Sequence, residues 1–542
     1  DDDGDASTDT ESTPAEESAE DTQEGATDDG ADSSDASEDG TGGDADAAGP
    51  MEPQVGGEML YGLVSDGTGF NTTDTIHPGS IRIIGSMNDS LVGVDADNNW
   101  TPNLAEALTP NDDFTEWTIT LRPDVRFHDG APVNADAIIA NFEAFKAGPN
   151  VGFALAPIVE LSAVDDLTVL AKMNTSWASF PFHLVGQPGW MVSPETIGSN
   201  DTFVGVGPFK LESWTVGDSA RVVRNDDYWR ADEGLPYLDA ITFKVIPEQE
   251  GRRQALEAGD IDAYTTPGDP AILDFRDDPD VLLHQGVAAA NEALILLNTA
   301  QAPMDDVRVR QAMAHAIDQQ LIIDTFRSGL TEPAKSFIHP QSPWYSDSAY
   351  PEFDPAAAQA LVDEYEAEVG PIELTLKATN VTSTLEVAEL VLSFWAEVGI
   401  DAEIEEIAPG TEVGPVVSDA YDAIMWAQFS AVDPDGQYVF FHSSGGLLNW
   451  TNLVSEKMDG GFDLARSTDD PAQRAEGYAM VQDAFAEEVP ILWFDHLGGV
   501  EAAVSTPQVH GIPEGFYANG KPNIGLIAGS FFSWEDVWVE QG

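Results

Sequence analysis

The sequence predicts an α/β fold spread over more than one lobe, and three observations predict it. The chain is 542 residues long, more than one apolar core usually organises, so two or three lobes are expected. Several short segments alternate apolar and polar residues strictly, which is the period of a half-buried strand. Between them run longer segments with apolar residues every three or four positions, opened by capping residues and closed by glycine. That is the pattern of helices packed on a sheet.

Taken in order, the chain opens with residues 1–50, which hold 19 acids and no base, aromatic or branched apolar residue. Such a stretch buries too little surface to offset its ordering entropy and is expected to be a disordered, self-repelling acidic linker. The folded part follows from Met51. Trp117-Thr118-Ile119-Thr120-Leu121, Ile241-Thr242-Phe243-Lys244-Val245 and Ile400-Asp401-Ala402-Glu403-Ile404 read as strands with one apolar face. Asp305 or Asp306 is expected to open one long helix carrying Val309, Met313, Ile317 and Leu321, closed by Gly329. Asp354-Pro355 opens another, with Leu361 and Tyr365 inward and Gly370 at its end. Val387, Val391, Phe394 and Val398 form a third stripe before Gly399, and Asp470-Pro471 opens a fourth with Tyr478, Val481 and Phe485 inward. These stripes are read as core packing. Val489-Pro490-Ile491-Leu492-Trp493-Phe494 is the most apolar short run and reads as a buried strand.

Composition excludes several classes of function. There are 22 Lys and Arg against 97 Asp and Glu, a net charge of −75, and no Cys. A basic nucleic-acid or lipid-binding surface is excluded, as are a disulfide scaffold and any Cys-ligated metal. No run is long and apolar enough to span a bilayer. The opening at Asp1 has no signal-peptide pattern, so the protein is expected to be cytosolic or already processed. Removing the tail leaves 78 acids against 22 bases, only 8 of them Lys. An acidic, Lys-poor surface is expected to tolerate high ionic strength, where its self-repulsion is screened.

Some strings imitate chemical motifs without supporting them. Gly515 to Lys521 has the spacing of a phosphate-binding loop, but Pro522 stands where the metal-binding hydroxyl belongs. Asp95, Asp97, Asn99 and Glu106 match a calcium-loop spacing, but Trp100 stands where glycine makes the sharp turn, so a polar turn is expected. His128 lies in a Phe-His-Asp-Gly turn and is read as structural. His442 is the one histidine near an acidic cluster, Asp433 and Asp435. No metal, cofactor or catalytic residue is assigned.

From residue 104 a more specific pattern appears. Leu104-Ala105-Glu106, Glu116-Trp117-Thr118-Ile119-Thr120-Leu121-Arg122 and Val125-Arg126-Phe127-His128-Asp129-Gly130-Ala131-Pro132 come first. Gly205-Val206-Gly207-Pro208-Phe209 follows, then Arg224-Asn225-Asp226-Asp227-Tyr228-Trp229 and Leu235-Pro236-Tyr237-Leu238-Asp239. Ala258-Gly259-Asp260-Ile261-Asp262, Asn298-Thr299 and Asp306-Val307-Arg308-Val309-Arg310-Gln311-Ala312 complete the series. In this order the strings resemble the peptide/nickel-type extracellular solute-binding proteins of ABC importers (family 5), over roughly residues 58–510. Val206 stands where that family usually has Thr.

The resemblance implies a two-lobed, periplasmic-binding-protein-like fold of type II, cluster C, with an extra subdomain in lobe I. It places lobe I at 51–291, its subdomain at about 86–200, lobe II at 292–490 and a C-terminal return to lobe I at 491–542. The chain would cross between lobes near Glu292–Asn298 and Pro490–Phe494. It implies a monomer outside the cytoplasm, tethered by an N-terminal lipid anchor that this sequence does not contain. The protein would capture peptides by hinge closure and hand them to a membrane permease. The family keeps a carboxylate for the ligand's α-amino group in an Asp-Pro loop, and the matching residue is Asp433. Trp426, Phe429 and Tyr438 would line the pocket from lobe II, and Phe70, Asn71, Gln187 and Trp190 from lobe I. Three alternatives stay open: a non-peptide solute such as an oligosaccharide, opine or metal chelate; a secreted carboxylate-pair hydrolase; and an adhesin built on the acidic tail.

Overall fold

In a computed structural model of the chain, the described residues are 51–67, 69–95, 99–266, 275–276, 278–285, 291–428, 433–497, 502–512 and 534–541. The acidic segment 1–50, the phosphate-loop imitation at 515–521, Asp97 and Phe429 lie outside them.

Two large sheets organise the described residues. The first contains β1 (Glu58–Leu63), β8 (Phe209–Thr215), β9 (Ser219–Arg224), β10 (Ala240–Val245), β11 (Ala263–Thr266), β12 (Leu282–Gln285) and β19 (Ala502–Ser505). Its order is β12-β19-β11-β1-β10-β9-β8, with β1 parallel to β10 and β11. The second contains β13 (Glu292–Leu297), β14 (Glu332–Pro333), β15 (Glu373–Thr379), β16 (Asp401–Ile407), β17 (Ala423–Gln428) and β18 (Ile491–His496), in the order β14-β18-β13-β17-β15-β16. A smaller sheet, β4-β5-β7-β6, joins β4 (Ala105–Pro110), β5 (Glu116–Leu121), β6 (Ile158–Asp165) and β7 (Thr168–Met173). Two short pairs complete the set: β2 (Val92–Val94) with β3 (Trp100–Pro102), and β20 (Val509–His510) with β21 (Trp538–Val539).

Each sheet has its own apolar core. The small sheet and the helix Ala135–Lys146 enclose Trp117, Ile119, Phe142 and Trp177. The first large sheet buries Tyr61, Phe243 and Trp534. The second is covered by helices that bury Val309, Trp395, Tyr478 and Phe485. The alternating strands fall at β5, β10 and β16 as the two-residue period requires. The helices opened by Asp-Pro run Pro355–Glu368 and Pro471–Glu488, and each Asp accepts two N-terminal backbone N–H groups.

Two expectations need correction. The long helix from Asp306 is two helices, Val307–Ala316 and Gln319–Phe326. Ile317 between them is extended, and Asp318 caps the second helix by accepting from Leu321 N–H. A local cap therefore overrides the continuous four-residue spacing, and Leu321 is left exposed. The other correction concerns residue 491. Ile491–His496 is a fully buried strand of the second sheet, paired with β13 and β14, so the chain rejoins the first sheet only at β19.

The strings that carried the resemblance turn out to be fasteners. His128 Nδ1 accepts from Gly205 N–H and Nε2 donates to Gly207 O, so both ring nitrogens tie the Phe-His-Asp-Gly turn to the Gly-x-Gly segment. Burial holds this imidazole neutral, with its pKa lowered to about 4. Tyr228 and Trp229 both donate to the buried Asp89 carboxylate, and Arg224 donates to the carbonyls of Pro236 and Tyr237. Asn298 donates to Tyr421 O, and Arg310 to the carbonyls of Met304 and Glu488.

Candidate functional site

The chain enters and leaves the second sheet at one end. Glu292, the first residue of β13, pairs with Gln428 at the end of β17 and with His496 at the end of β18. Residues 286–290 lead in from β12, and 498–501 lead out to β19. Just past that end of β17, Asp435 meets Trp177, Ser179 and His183 from the region of the small sheet, and the candidate site is built there.

Past β17 the described chain resumes at Asp433, which accepts from Asp435 N–H and turns the backbone into a short 3-10 segment, Pro434–Gln437. Pro434 sets the first φ of that turn. Both acids are buried and both already have a cation. Asp433 takes Arg474 Nη2 at 2.7 Å on each oxygen and the Tyr478 hydroxyl at 2.9 Å. Asp435 takes Arg466 Nε at 2.7 Å and Nη2 at 3.0 Å. Burial alone would raise the Asp435 pKa, but Arg466 and His183 hold it well below the usual carboxylate range.

The arginines come from two helices, Glu456–Arg466 and Pro471–Glu488, which cross at Gly461 and Gly477. A Cβ on Gly477 would lie 2.5 Å from Gly461 O, and one on Gly461 2.6 Å from Gly477 O. Only glycine permits this approach, and it places both guanidinium groups under the Asp433–Asp435 turn.

Aromatic rings surround the turn. Tyr438 lies with the Arg466 guanidinium 3.5 Å from its centroid and stacks on His442 at 4.3 Å. Burial pushes the Tyr438 phenol up to about 12, so it stays protonated and donates to Asp463. Trp426 meets Trp450 edge-on at 4.9 Å, and Phe440 packs on Trp450. The indole Nε1 atoms of Trp426 and Trp450 and the Oε1 of Gln428 are buried without a hydrogen-bond partner among the described residues. His442, expected beside Asp433 and Asp435, instead faces Asp459 and Asp463. Among the described residues no group of three or more His, Asp or Glu side chains could hold a metal ion.

Of the sequence-predicted residues, Asp433, Trp426 and Tyr438 lie at this end of the second sheet. Those from the first lobe do not join them. Phe70 is 1% exposed and packs on Phe203 and Trp214, and Trp190 is buried in the same core, so both rings are core and not pocket wall. Gln187 donates to Thr72 O and Thr75 O, and Asn71 accepts from Thr73, so both fasten their own loop. The first lobe reaches the site through residues not singled out from sequence: Trp177, Ser179 and His183 all donate to Asp435. A buried arginine on each of two adjacent helices, in a chain with so few bases, was the available signal.

The family model described as bacterial extracellular solute-binding proteins, family 5 middle, matches residues 99–447. A glutathione-binding protein, GsiB of Salmonella paratyphi A, is 28% identical over 452 residues, covering 79% of this chain and 87% of that protein. The oligopeptide-binding protein AppA from Bacillus subtilis, solved with a nonapeptide, superposes with a TM-score of 0.73 at 22% identity, covering 90% of this chain and all of that one. The binding protein AgaA from A. tumefaciens R10, solved with agropinic acid, superposes with a TM-score of 0.76 at 24% identity, covering 90% and 99%.

Proposed function

This chain belongs to the bacterial extracellular solute-binding proteins of family 5, and from that membership we propose that it encloses a peptide between its two lobes and delivers it to an ABC permease. The observation that carries the peptide reading is a set of unspent polar atoms on β17 and on the ring packed against it. Two indole donors, Trp426 and Trp450, and one amide acceptor, Gln428, are buried without partners among the described residues. A peptide backbone presents C=O and N–H groups in alternation and matches such a mixed set, and burying it there requires those bonds. The relative named for glutathione makes that tripeptide the first ligand to try.

We assign lobe I to 51–285 with the return from 502, and lobe II to 292–496. The amine-anchoring role expected of Asp433 takes an altered form in this reading. Its carboxylate is shared with Arg474, so a ligand ammonium gains only the charge that Arg474 leaves. No turnover is part of the reading, and the placement outside the cytoplasm with an N-terminal lipid tether belongs to it as well.

Calorimetric titration with glutathione and with di- to nonapeptides tests the proposal. Stoichiometric binding, weakened by Gln428→Leu or Trp426→Phe, with the peptide recovered intact, is the expected result. Binding of an opine or sugar with no peptide bound would replace the peptide while keeping the family. Hydrolysis of the bound peptide would overturn the binding reading.

A further inference from the structure

We propose that Asp435 is a latch that holds the two lobes together before any solute is bound. Its carboxylate belongs to lobe II, where Arg466 takes it in two hydrogen bonds. Three more donors come from lobe I: Trp177 Nε1 at 2.7 Å, Ser179 Oγ at 2.6 Å and His183 Nε2 at 2.9 Å. Trp177 is rooted in the core of the small sheet, and Asp435 follows the last strand residue at the crossing end of the second sheet. These donors are separated from Asp435 by more than 250 residues of chain, so nothing local obliges them to meet. A backbone bond crosses beside them, from Ala178 N–H to Arg466 O at 2.8 Å.

The chemistry gives this contact a direction. Trp177, Ser179 and Asp435 are at most 1% exposed in the joined state. When the lobes part, the indole, the hydroxyl and the imidazole lose an anionic acceptor, and Asp435 keeps only Arg466. Hydrogen bonds to an ionised group in a site shielded from water are among the strongest available to side chains. Five of them on one carboxylate make the joined state a distinct free-energy well, available without solute. A solute then binds a population already closed in part, and its apparent affinity scales with that population.

The inference rests on the two-lobed solute-binding reading, but its test needs no solute. The sequence contains no Cys, so Val164→Cys in lobe I and Val369→Cys in lobe II, both exposed, can carry spin labels specifically. Inter-label distances are measured on the full chain by pulsed electron resonance. The expected result is a short-distance, joined population in the otherwise unaltered protein. Asp435→Asn should lower the joined-to-open ratio by about tenfold or more, a loss of ~1.4 kcal/mol per factor of ten. The double variant Ser179→Ala, His183→Ala keeps the Asp435–Arg466 pair within lobe II and should do the same, even if Asp435→Asn fails to fold. Absence of a joined population in the unaltered protein, or distances in the double variant that superpose on it while only the melting temperature falls, would overturn the latch. A chain that binds no peptide but opens in these variants would refute the peptide reading and leave the latch standing.

Discussion

The Asp433–Arg474 pair offers the sharpest test of how lobe II is held together. Asp433→Asn removes the negative charge and leaves Arg474, 5% exposed, buried against a neutral amide. Breaking a buried pair from one side costs about 3–5 kcal/mol, because the remaining ion keeps its desolvation penalty and loses its compensation. Lobe II has about 200 residues, and unfolding entropy near 2.1 cal/mol/K per residue makes its melting entropy about 0.4 kcal/mol/K. The melting temperature should then fall by about 7–12 °C if lobe II unfolds alone. It should fall by about 3–5 °C if the described residues of both lobes, about 440, unfold together. Scanning calorimetry without solute reads either outcome. Adding Arg474→Met to Asp433→Asn should recover part of the loss, since the stranded cation is then gone. A variant melting within a degree of the parent, but with strongly weakened peptide binding, would refute the argument. It would mean that Asp433 is free for a ligand ammonium.

Gly477→Val should force apart the helices bearing Arg466 and Arg474, because its Cβ would stand 2.5 Å from Gly461 O; a loss of several kcal/mol is expected, and wild-type stability by urea unfolding would show that the crossing is not tight. Burial, together with Asp89 and Asp536, raises the Glu535 carboxyl from 4.5 to about 8, so its stabilising contribution is full below pH ~4.5 and is lost as pH rises through 8. Glu535→Gln should flatten the fall in melting temperature between pH 5 and 8 and converge with the parent below pH 5; parallel curves would refute the assignment. With 78 acids against 22 bases outside the tail, melting temperature should rise by several degrees between 0.1 and 1 M KCl, as the screening length shrinks from ~10 to ~3 Å; equal stability at both would remove the charge argument.

Periodicity was enough for most elements because their signals are local. β5, β10 and β16 alternate in sequence, and the Asp-Pro pairs that start two helices cap them through their own side chains. The break at Ile317 was hidden because one capping bond, from Leu321 to Asp318, outweighs a stripe that continues through it. The place of β18 was hidden because an apolar run shows burial but not which sheet buries it. The family strings exposed the fold and concealed the site for one reason. His128 and Arg310 tie their segments to backbone carbonyls, and Tyr228 and Trp229 tie theirs to the Asp89 carboxylate, and each sits in a short string recognisable by residue type alone. The carboxylates of the site depend on arginines 31 and 41 residues away, on a helix crossing set by two glycines. No spacing rule along the chain joins those parts.

The position of the two crossings has a mechanical consequence. β13 is flanked by β17 and β18, and β18 by β13 and β14, so neither strand that carries a crossing is an edge of the second sheet. Torque from a turning lobe would therefore enter through two adjacent strands, β13 laddered on both sides and β18 laddered to β13 and held on its outer side by β14 at Asp495 and His496. A load there would shear both ladders of β13, and β14 would hold the outer side of β18 at the pivot itself. A lobe turning as one body on that pivot would magnify small changes there at its far rim.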